Sequence, residues 1–566
     1  MSLSRLNVAR LGDDRRLQVA LASLCIAYGA ANAWMHRFIV DDAFISLRYA
    51  SNFVNGYGLT WNADGEHVEG YTNFLWVLLQ SVPLSFGWDS IFCCHLLGLA
   101  CLVSTLYLTL KLALRVFESW TLSLLVLALV GTNPTLTRFA TSGLETPLQA
   151  LLFVSVLYVT AASFSVKPRW TLARLLGLSL LAALALLTRL DSALLLAIVY
   201  PIVLWQIVTA PGSGKARGAM LAAGLIPAAA IVGAWFAWKY SYYGDVLPNA
   251  FHARVLAIRS GLVYVYLFLH AHLPLPARAR YLPPLVLVFL PFARKVFKEV
   301  EAAVAMAAAL VVLWCLYVVW AGGDWMGFRM MAPILPALSI VTIRLADRTT
   351  TVVRAGLFVL LLLIPMVHTN PHRWTGNFLG ADDVGEVSAS VRSPQTALLL
   401  HDLLHDDEAI VIATGGAGAI AYYSALKTVD VLGLNDRWVA KHGLLNPEGE
   451  AGHRRFSPWR YLVEQHVTLV LCDEAEISWE NGSGRTSYEG ETLAGVLATG
   501  FVPDRKDNPL PVGARMLEIP LDVGRAALAV YLTPNASVER AIRTRGWRVV
   551  PIHTNASAAS VAGVTR

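Results

Sequence analysis

Charge is scarce in this chain. Asp, Glu, Lys and Arg make up only 15 % of its 566 residues, whereas 56 % are hydrophobic and the mean hydropathy is +0.54. A polar shell for a wholly soluble protein cannot be drawn from that stock, so the composition points to a multi-span membrane protein. The chain also lacks an HExxH helix, a Walker loop and a Ser-His-Asp spacing, which removes the motif support for zinc-protease, ATPase and serine-hydrolase chemistry. Cysteine is sparse: Cys25, Cys93, Cys94, Cys101, Cys315 and Cys472 form no spaced metal pattern, and nearly all fall in apolar runs where they read as filler. No loop has ordered ligand spacing, so no cofactor or metal is expected, although a hard divalent ion would suit a carboxylate pair.

Long apolar runs fill the first two thirds. Arg5, Arg10, Arg15 and Arg16 precede a run over about 17–39 with no cleavage site after it, which reads as a retained span starting in the cytoplasm. Ten more crossings are expected near 89–112, 120–137, 146–165, 172–189, 191–210, 219–239, 281–293, 302–320, 331–346 and 352–369. On this count the alternate loops around Lys111, Lys167, Lys215, Lys295 and Arg348 are all basic and cytoplasmic. The net charge of +6 is thus a membrane-orientation signal, and nucleic acid is not an expected partner. The apolar stretch 70–87 is expected as an interfacial helix on the outer leaflet, with Tyr71, Phe74 and Trp76 at headgroup level.

From about residue 371 to 566 the composition becomes that of a soluble domain, which an odd number of crossings places outside. Its alternation predicts an α/β or α+β fold: a helix in TALLLHDLL, strands in AIVIAT, KTVDV and TLVL, and strand-rich ARMLEIPL and RAALAVYL. The glycine-rich TGGAGAIAYY at 414–423 reads as a tight strand-to-helix turn, with an anion site at the helix N-terminus as the alternative.

The outer loops carry the polar chemistry. In RFIVDDAFISLR, Asp41 and Asp42 adjoin hydrocarbon, where adjacent carboxylates are costly and signal function. With them come the carboxylates Glu69, Glu145, Asp191, Asp245 and Asp324, the cations Arg189, Arg254, Arg329 and His252, and the aromatics Tyr71, Trp76, Tyr243 and Trp325. Arginine pairs with phosphate oxygens, carboxylates bind and deprotonate hydroxyls, and aromatic faces pack on sugar rings. Beside a membrane, that mixture suits a sugar on a lipid phosphate.

The ordered motifs DDAFISLRYASNFVNGYGLTWNADGEHVEGYTNFLW, SGLETP, LTRLD, YYGDVLPNAFHAR, GGDWMGFRMMAPILP and VDVLGLND, spanning about 35–440, resemble the bacterial GT-C glycosyltransferases that use polyprenyl-phosphate sugars. Within them the chain looks closest to the arabinofuranosyltransferases of actinobacterial arabinan and type IV pilin modification. The resemblance implies transfer of D-arabinofuranose from a polyprenyl phosphate to an outer-face glycan or protein acceptor, in the bacterial cytoplasmic membrane. It implies a catalytic aspartate in the first outer loop, mapping to Asp41 or Asp42; Asp42 is the better placed of the two to cap the following helix, which favours Asp41 as base. Arg329, His252 and Arg254 are the candidates for the donor phosphate. Glu69, Tyr71, Trp76, Glu145, Tyr243, Asn249, Asp324 and Trp325 are the candidates for sugar and acceptor. Arg189 and Asp191 are expected to pair across a turn. A hexosyl or aminoarabinosyl donor, a lipid-linked sugar transporter and a noncatalytic receptor are the alternative readings.

Overall fold

The computed structural model describes residues 14–163, 170–255, 257–272, 302–347, 393–445, 454–471, 477–478, 508–522 and 525–550. Its first part is helical: α1 Arg15–Met35, α2 Asp41–Val54, α3 Phe74–Ser85, α4 Ser90–Phe117, α5 Trp120–Gly131, α6 Pro134–Phe139, α7 Thr146–Ser163, α8 Leu172–Thr188, α9 Ala193–Thr209, α10 Gly214–Tyr243, α11 Asn249–Ala253, α12 Ile258–His272, α13 Ala302–Ala321 and α14 Leu335–Asp347. Among the described residues seven helices are long and apolar enough to cross a membrane: α1, α4, α7, α10, α13, and α9 and α14 with the 3-10 turns that precede them. The chain is a multi-pass membrane protein.

Nine of the eleven expected crossings coincide with helices, the seven above and the shorter α5 and α8. The crossings expected at 281–293 and 352–369, and the domain boundary near 370, lie outside the described residues. The run 120–137 is broken, because Asn133 accepts from the Thr135 and Leu136 amides and Pro134 opens a new helix. Helix α12 was not expected; its histidines and arginine mask an apolar stretch in the sequence.

The stretch 70–87 does form a helix, α3, but the headgroup placement of its aromatics is corrected. Trp76 is fully buried and donates to the Gly143 carbonyl at 2.8 Å, and Tyr71 is 3 % exposed. Protein rather than lipid covers them, because α3 packs against α2 and α4.

The C-terminal α/β domain adds α15 Ser393–Leu404, β1 Val411–Thr414, α16 Ala419–Ser424, β2 Lys427–Asp430, α17 Arg437–His442, β3 Leu444–Leu445, β4 Arg455–Phe456, α18 Trp459–Glu464, β5 Leu469–Leu471, β6 Ile477–Ser478, β7 Arg515–Asp522, β8 Arg525–Tyr531, α19 Ala536–Thr544 and β9 Arg548–Val550. One mixed sheet runs β2-β1-β5-β8-β7-β9, with β6 beside β8. β1 pairs in parallel with β2 and β5, and the remaining pairs are antiparallel. Alternation within β1 supplies both cores: Val411 and Ala413 join Trp459 and Leu462 of α18, while Ile412 joins Leu400 of α15 and Val538 of α19.

This domain sits directly on the polar loops of the helical part. Trp61 Nε1 and Asn62 Nδ2 both donate to the Thr428 carbonyl at 3.0 Å, and Asn62 Oδ1 accepts from the Thr428 amide at 3.0 Å, closing the β2 edge. Asn249 donates to the carbonyls of Gly433 and Leu434, and Arg437 donates to those of His67 and Tyr243.

Candidate active site

A cavity of about 450 Å³ lies where the helical part meets the C-terminal domain. Its walls come from α2 (Asp42, Ser46), residues 70–73, the turn ahead of α7 (Leu144, Glu145), Arg189–Asp191, the pairs Leu247–Pro248 and Ala250–Phe251, Ala253–Val255, the end of α13 with Gly322–Trp325, Arg329, and Leu434 of the C-terminal domain.

Local sequence explains how the charged groups reach it. Gly143 adopts a φ of +83°, which turns the chain so that Glu145 enters the cavity just before α7; a Cβ there would lie 2.7 Å from Ala43 on α2. Arg189 ends α8 in an extended conformation, and the 3-10 turn Leu190–Ser192 brings Asp191 back against it. Gly322 and Gly323, both with positive φ, swing Asp324 and Trp325 inward after α13.

The result is a set of linked ion pairs. Arg189 binds Glu145 at 2.6 Å and Asp191 at 2.8 Å, and Glu145 also accepts from Asn73 at 2.8 Å. Asp191 accepts from Gln149 at 2.7 Å and from the Tyr317 hydroxyl at 3.1 Å. Arg329 binds Asp324 at 2.6 Å and lies 4.0 Å from Asp42. Arg254 also lines the wall, close enough to the Tyr317 hydroxyl to act on it electrostatically, and among the described residues no ion pair joins it to a carboxylate.

The carboxylates differ sharply. Burial pushes Asp42 up to about 7, with Arg329 opposing and Asp41, Asp324 and Glu145 reinforcing the rise. Glu145 suffers burial too, but Arg189 and Arg329 overcome it and hold its carboxyl below the usual range. One carboxylate thus exchanges a proton near neutrality while its neighbour stays ionised, a separation suited to acid–base work. Among the described residues no three His, Cys, Asp or Glu side chains converge as a metal cluster.

The sequence candidates divide on position. The cavity gathers Asp42, Tyr71, Glu145, Arg254, Asp324, Trp325 and Arg329. Six others stand elsewhere. Asp41 has both oxygens on the C-terminal domain, at 2.8 Å from the Gly418 amide and 2.7 Å from that of Ala419. Glu69 is sealed against Lys239 at 2.6 Å, with 4 % and 1 % of their side chains exposed. Trp76 is core, and Tyr243 is buried with its hydroxyl bonded to Leu59 O and Tyr71. Asn249 ties the two parts together as described, and His252 pairs with Asp245 at 2.9 Å. The expected cap is also corrected: α2 begins after Val40 with no side-chain cap, and it is Asp41 that binds the amides at the start of another helix, α16. Asn73, Gln149 and Tyr317 line the site without having been singled out from sequence; each is an isolated polar residue in an apolar helix or at its edge, and that was the available signal.

Fold and site together define a polytopic membrane protein with a charged cavity, to whose wall the C-terminal α/β domain contributes Leu434. A family described as a domain of unknown function (DUF8728) matches residues 385–507. The chain matches no curated protein sequence. Among solved structures it is similar to ArnT from Cupriavidus metallidurans bound to undecaprenyl phosphate, at 14 % identity over 75 % of this chain and 76 % of that one, with a TM-score of 0.41. It is also similar to the Archaeoglobus fulgidus oligosaccharyltransferase in the apo form, at 11 % identity, 95 % and 76 % coverage and a TM-score of 0.49. The archaeal oligosaccharyltransferase AglB from the same organism, in complex with an inhibitory peptide and a dolichol-phosphate, aligns at 10 % identity, 92 % and 74 % coverage and a TM-score of 0.46.

Proposed function

We propose that the protein is a membrane glycosyltransferase that moves a sugar, D-arabinofuranose on the motif resemblance, from a polyprenyl-phosphate donor to a glycan or protein acceptor. The observation that carries this reading is the placement of Asp42 on the wall of a cavity that also holds Arg254 and Arg329, and the rise of its carboxyl to about 7 agrees with it. As general base, Asp42 takes the proton of the acceptor hydroxyl while the hydroxyl oxygen bonds to the anomeric carbon. The bond from that carbon to the phosphate oxygen breaks, and the lipid phosphate departs with the electron pair. Direct displacement of this kind inverts the anomeric centre.

Arg254 is assigned to the departing phosphate, since it lines the cavity and, among the described residues, is not taken up by an ion pair with a carboxylate. Phe251, Val255 and Trp320 beside it give the lipid an apolar exit. Arg329 holds Asp324 and restrains the rise of Asp42, and Glu145 with Asp191 offers acceptors for sugar hydroxyls. The basic loops on one side and the polar loops on the other support a cytoplasmic N-terminus with site and C-terminal domain on the outer face of a bacterial cytoplasmic membrane.

The test is transfer by the purified protein from a panel of polyprenyl-phosphate pentoses, hexoses and aminoarabinose to short glycan and peptide acceptors. Consumption of the arabinofuranosyl donor is the expected result. Consumption of another donor alone overturns the sugar, and a folded protein that consumes none overturns the enzyme.

A further inference from the structure

Helix α2 lies between the cavity and the C-terminal domain, and its residues sort by face. Asp41, Phe44 and Arg48 recur at helical spacing on one side; Asp42, Ile45 and Ser46 are turned from them by about 100° for each residue step, toward the cavity. From Asp41 to Arg48 the first face is held by the C-terminal domain. Asp41 binds the Gly418 and Ala419 amides at 2.8 and 2.7 Å. The Phe44 ring packs 5.5 Å from Tyr422 and 5.3 Å from Tyr423. Arg48, 6 % exposed, donates to the carbonyls of Ala421 and Leu426 and to Asn62.

Contact at the turn is backbone against backbone. A Cβ at position 418 would lie 1.9 Å from the Asp41 carbonyl oxygen, so only glycine allows this approach. The glycine-rich turn read from sequence as a tight strand-to-helix connection therefore has a ligand, and the ligand is the chain's own carboxylate. Asp42, the next residue, has no such anchor among the described residues: the cation paired with it, Arg329, stands 4.0 Å away. What sets its direction is the rotation of α2 about its axis.

We propose that Asp41 is a positioning residue, whose bond to the Gly418–Ala419 turn locks the rotational setting of α2 so that the C-terminal domain determines where Asp42 points. The inference rests on the reading of Asp42 as base. It makes the junction with the C-terminal domain a working part of the active site and gives the adjacent aspartates separate tasks.

The experiment compares full-length wild type, Asp41→Asn, Gly418→Ala and the double variant in lipid nanodiscs, by transfer kinetics and by hydrogen–deuterium exchange of residues 41–54. Misplacement of a catalytic group by about 1 Å costs up to ~100-fold, so each single variant should lose about 10- to 100-fold in kcat while the donor KM stays near wild type. The acidic limb of the kcat profile should move to lower pH as Asp42 gains water, and the double variant should be no worse than the poorer single one. Faster exchange over 41–54 is expected in both single variants. A wild-type pH profile and kcat in Gly418→Ala, or losses that multiply in the double variant, overturn the proposal. If wild type transfers no sugar, the reading of Asp42 fails on its own, and exchange still decides the lock: unchanged exchange over 41–54 in both single variants overturns it.

Discussion

The two sides of helix α2 are built on opposite principles. On the side of Asp41, side chains meet backbone: the carboxylate binds two amides, Arg48 binds carbonyls, and Trp61 and Asn62 close a strand edge. Backbone partners of this kind are fixed by the fold of the C-terminal domain. On the side of Asp42, side chains meet side chains across a cavity, with arginines shared among Glu145, Asp191, Asp324 and Asp42. Partners of that kind can be exchanged for a ligand's oxygens. Adjacent carboxylates of one sequence motif thus stand in different surroundings, one bonded to backbone amides and the other on the cavity wall.

The widest break in this comparison comes from Asp42→Asn, which should lower kcat by ~10²- to 10⁴-fold, the usual worth of a general base, with polyprenyl-phosphate binding retained. The same variant sharpens the electrostatic contrast. Because the folded pKa of Asp42 is raised to about 7, the protonated form favours folding at low pH, and that advantage is lost as pH rises through 7. Asp42→Asn should therefore unfold at a higher temperature than wild type at pH 8 and at the same temperature at pH 4, read by thermal unfolding in detergent.

Next in size is Arg254→Gln. A hydrogen bond to a charged group contributes about 1.5–3 kcal/mol, so polyprenyl-phosphate affinity should fall by about 10- to 100-fold in an equilibrium binding assay. If Arg329→Gln gives that loss and Arg254→Gln does not, the phosphate end of the cavity is misassigned.

Smaller still are changes on the structural side. Trp61→Phe removes one bond to the Thr428 carbonyl and should cost about 1 kcal/mol of stability by denaturant titration, with kcat unchanged. Lys427→Ala removes the Asp64 pair, whose partners are 43 % and 71 % exposed, and should change stability by less than about 1 kcal/mol.

The same contrast explains what could be read in the chain. Apolar length disclosed α1, α4, α7, α9, α10, α13 and α14, and alternation disclosed β1, β2, β5, β7 and β8, because burial in lipid or in a sheet acts on local pattern. The acidic pair and the SGLETP, LTRLD and GGDWMGFR segments pointed to the site, since charge beside hydrocarbon has few structural uses. Sequence favoured Asp41 as the base, whereas Asp42 is the aspartate that faces the cavity. That depends on residues 377 and 378 positions away, whose amides claim Asp41. For the same reason Glu69 and Asn249 read as ligand groups: their partners, Lys239 and the Gly433 and Leu434 carbonyls, are remote or carry no side-chain signature. Trp76 shows a further limit, because an aromatic at a membrane edge and one packed on a glycine turn look alike until the turn is placed.

Whether Asp42 is the base, poised near neutral pH, is read from the pH dependence of single-turnover transfer from a polyprenyl-phosphate arabinofuranose, for wild type and for Asp42→Asn. The wild-type rate should climb with pH through about 7, and the variant rate should be ~10²-fold or more lower and lack that limb. A variant that retains both the rate and the limb would contradict that role.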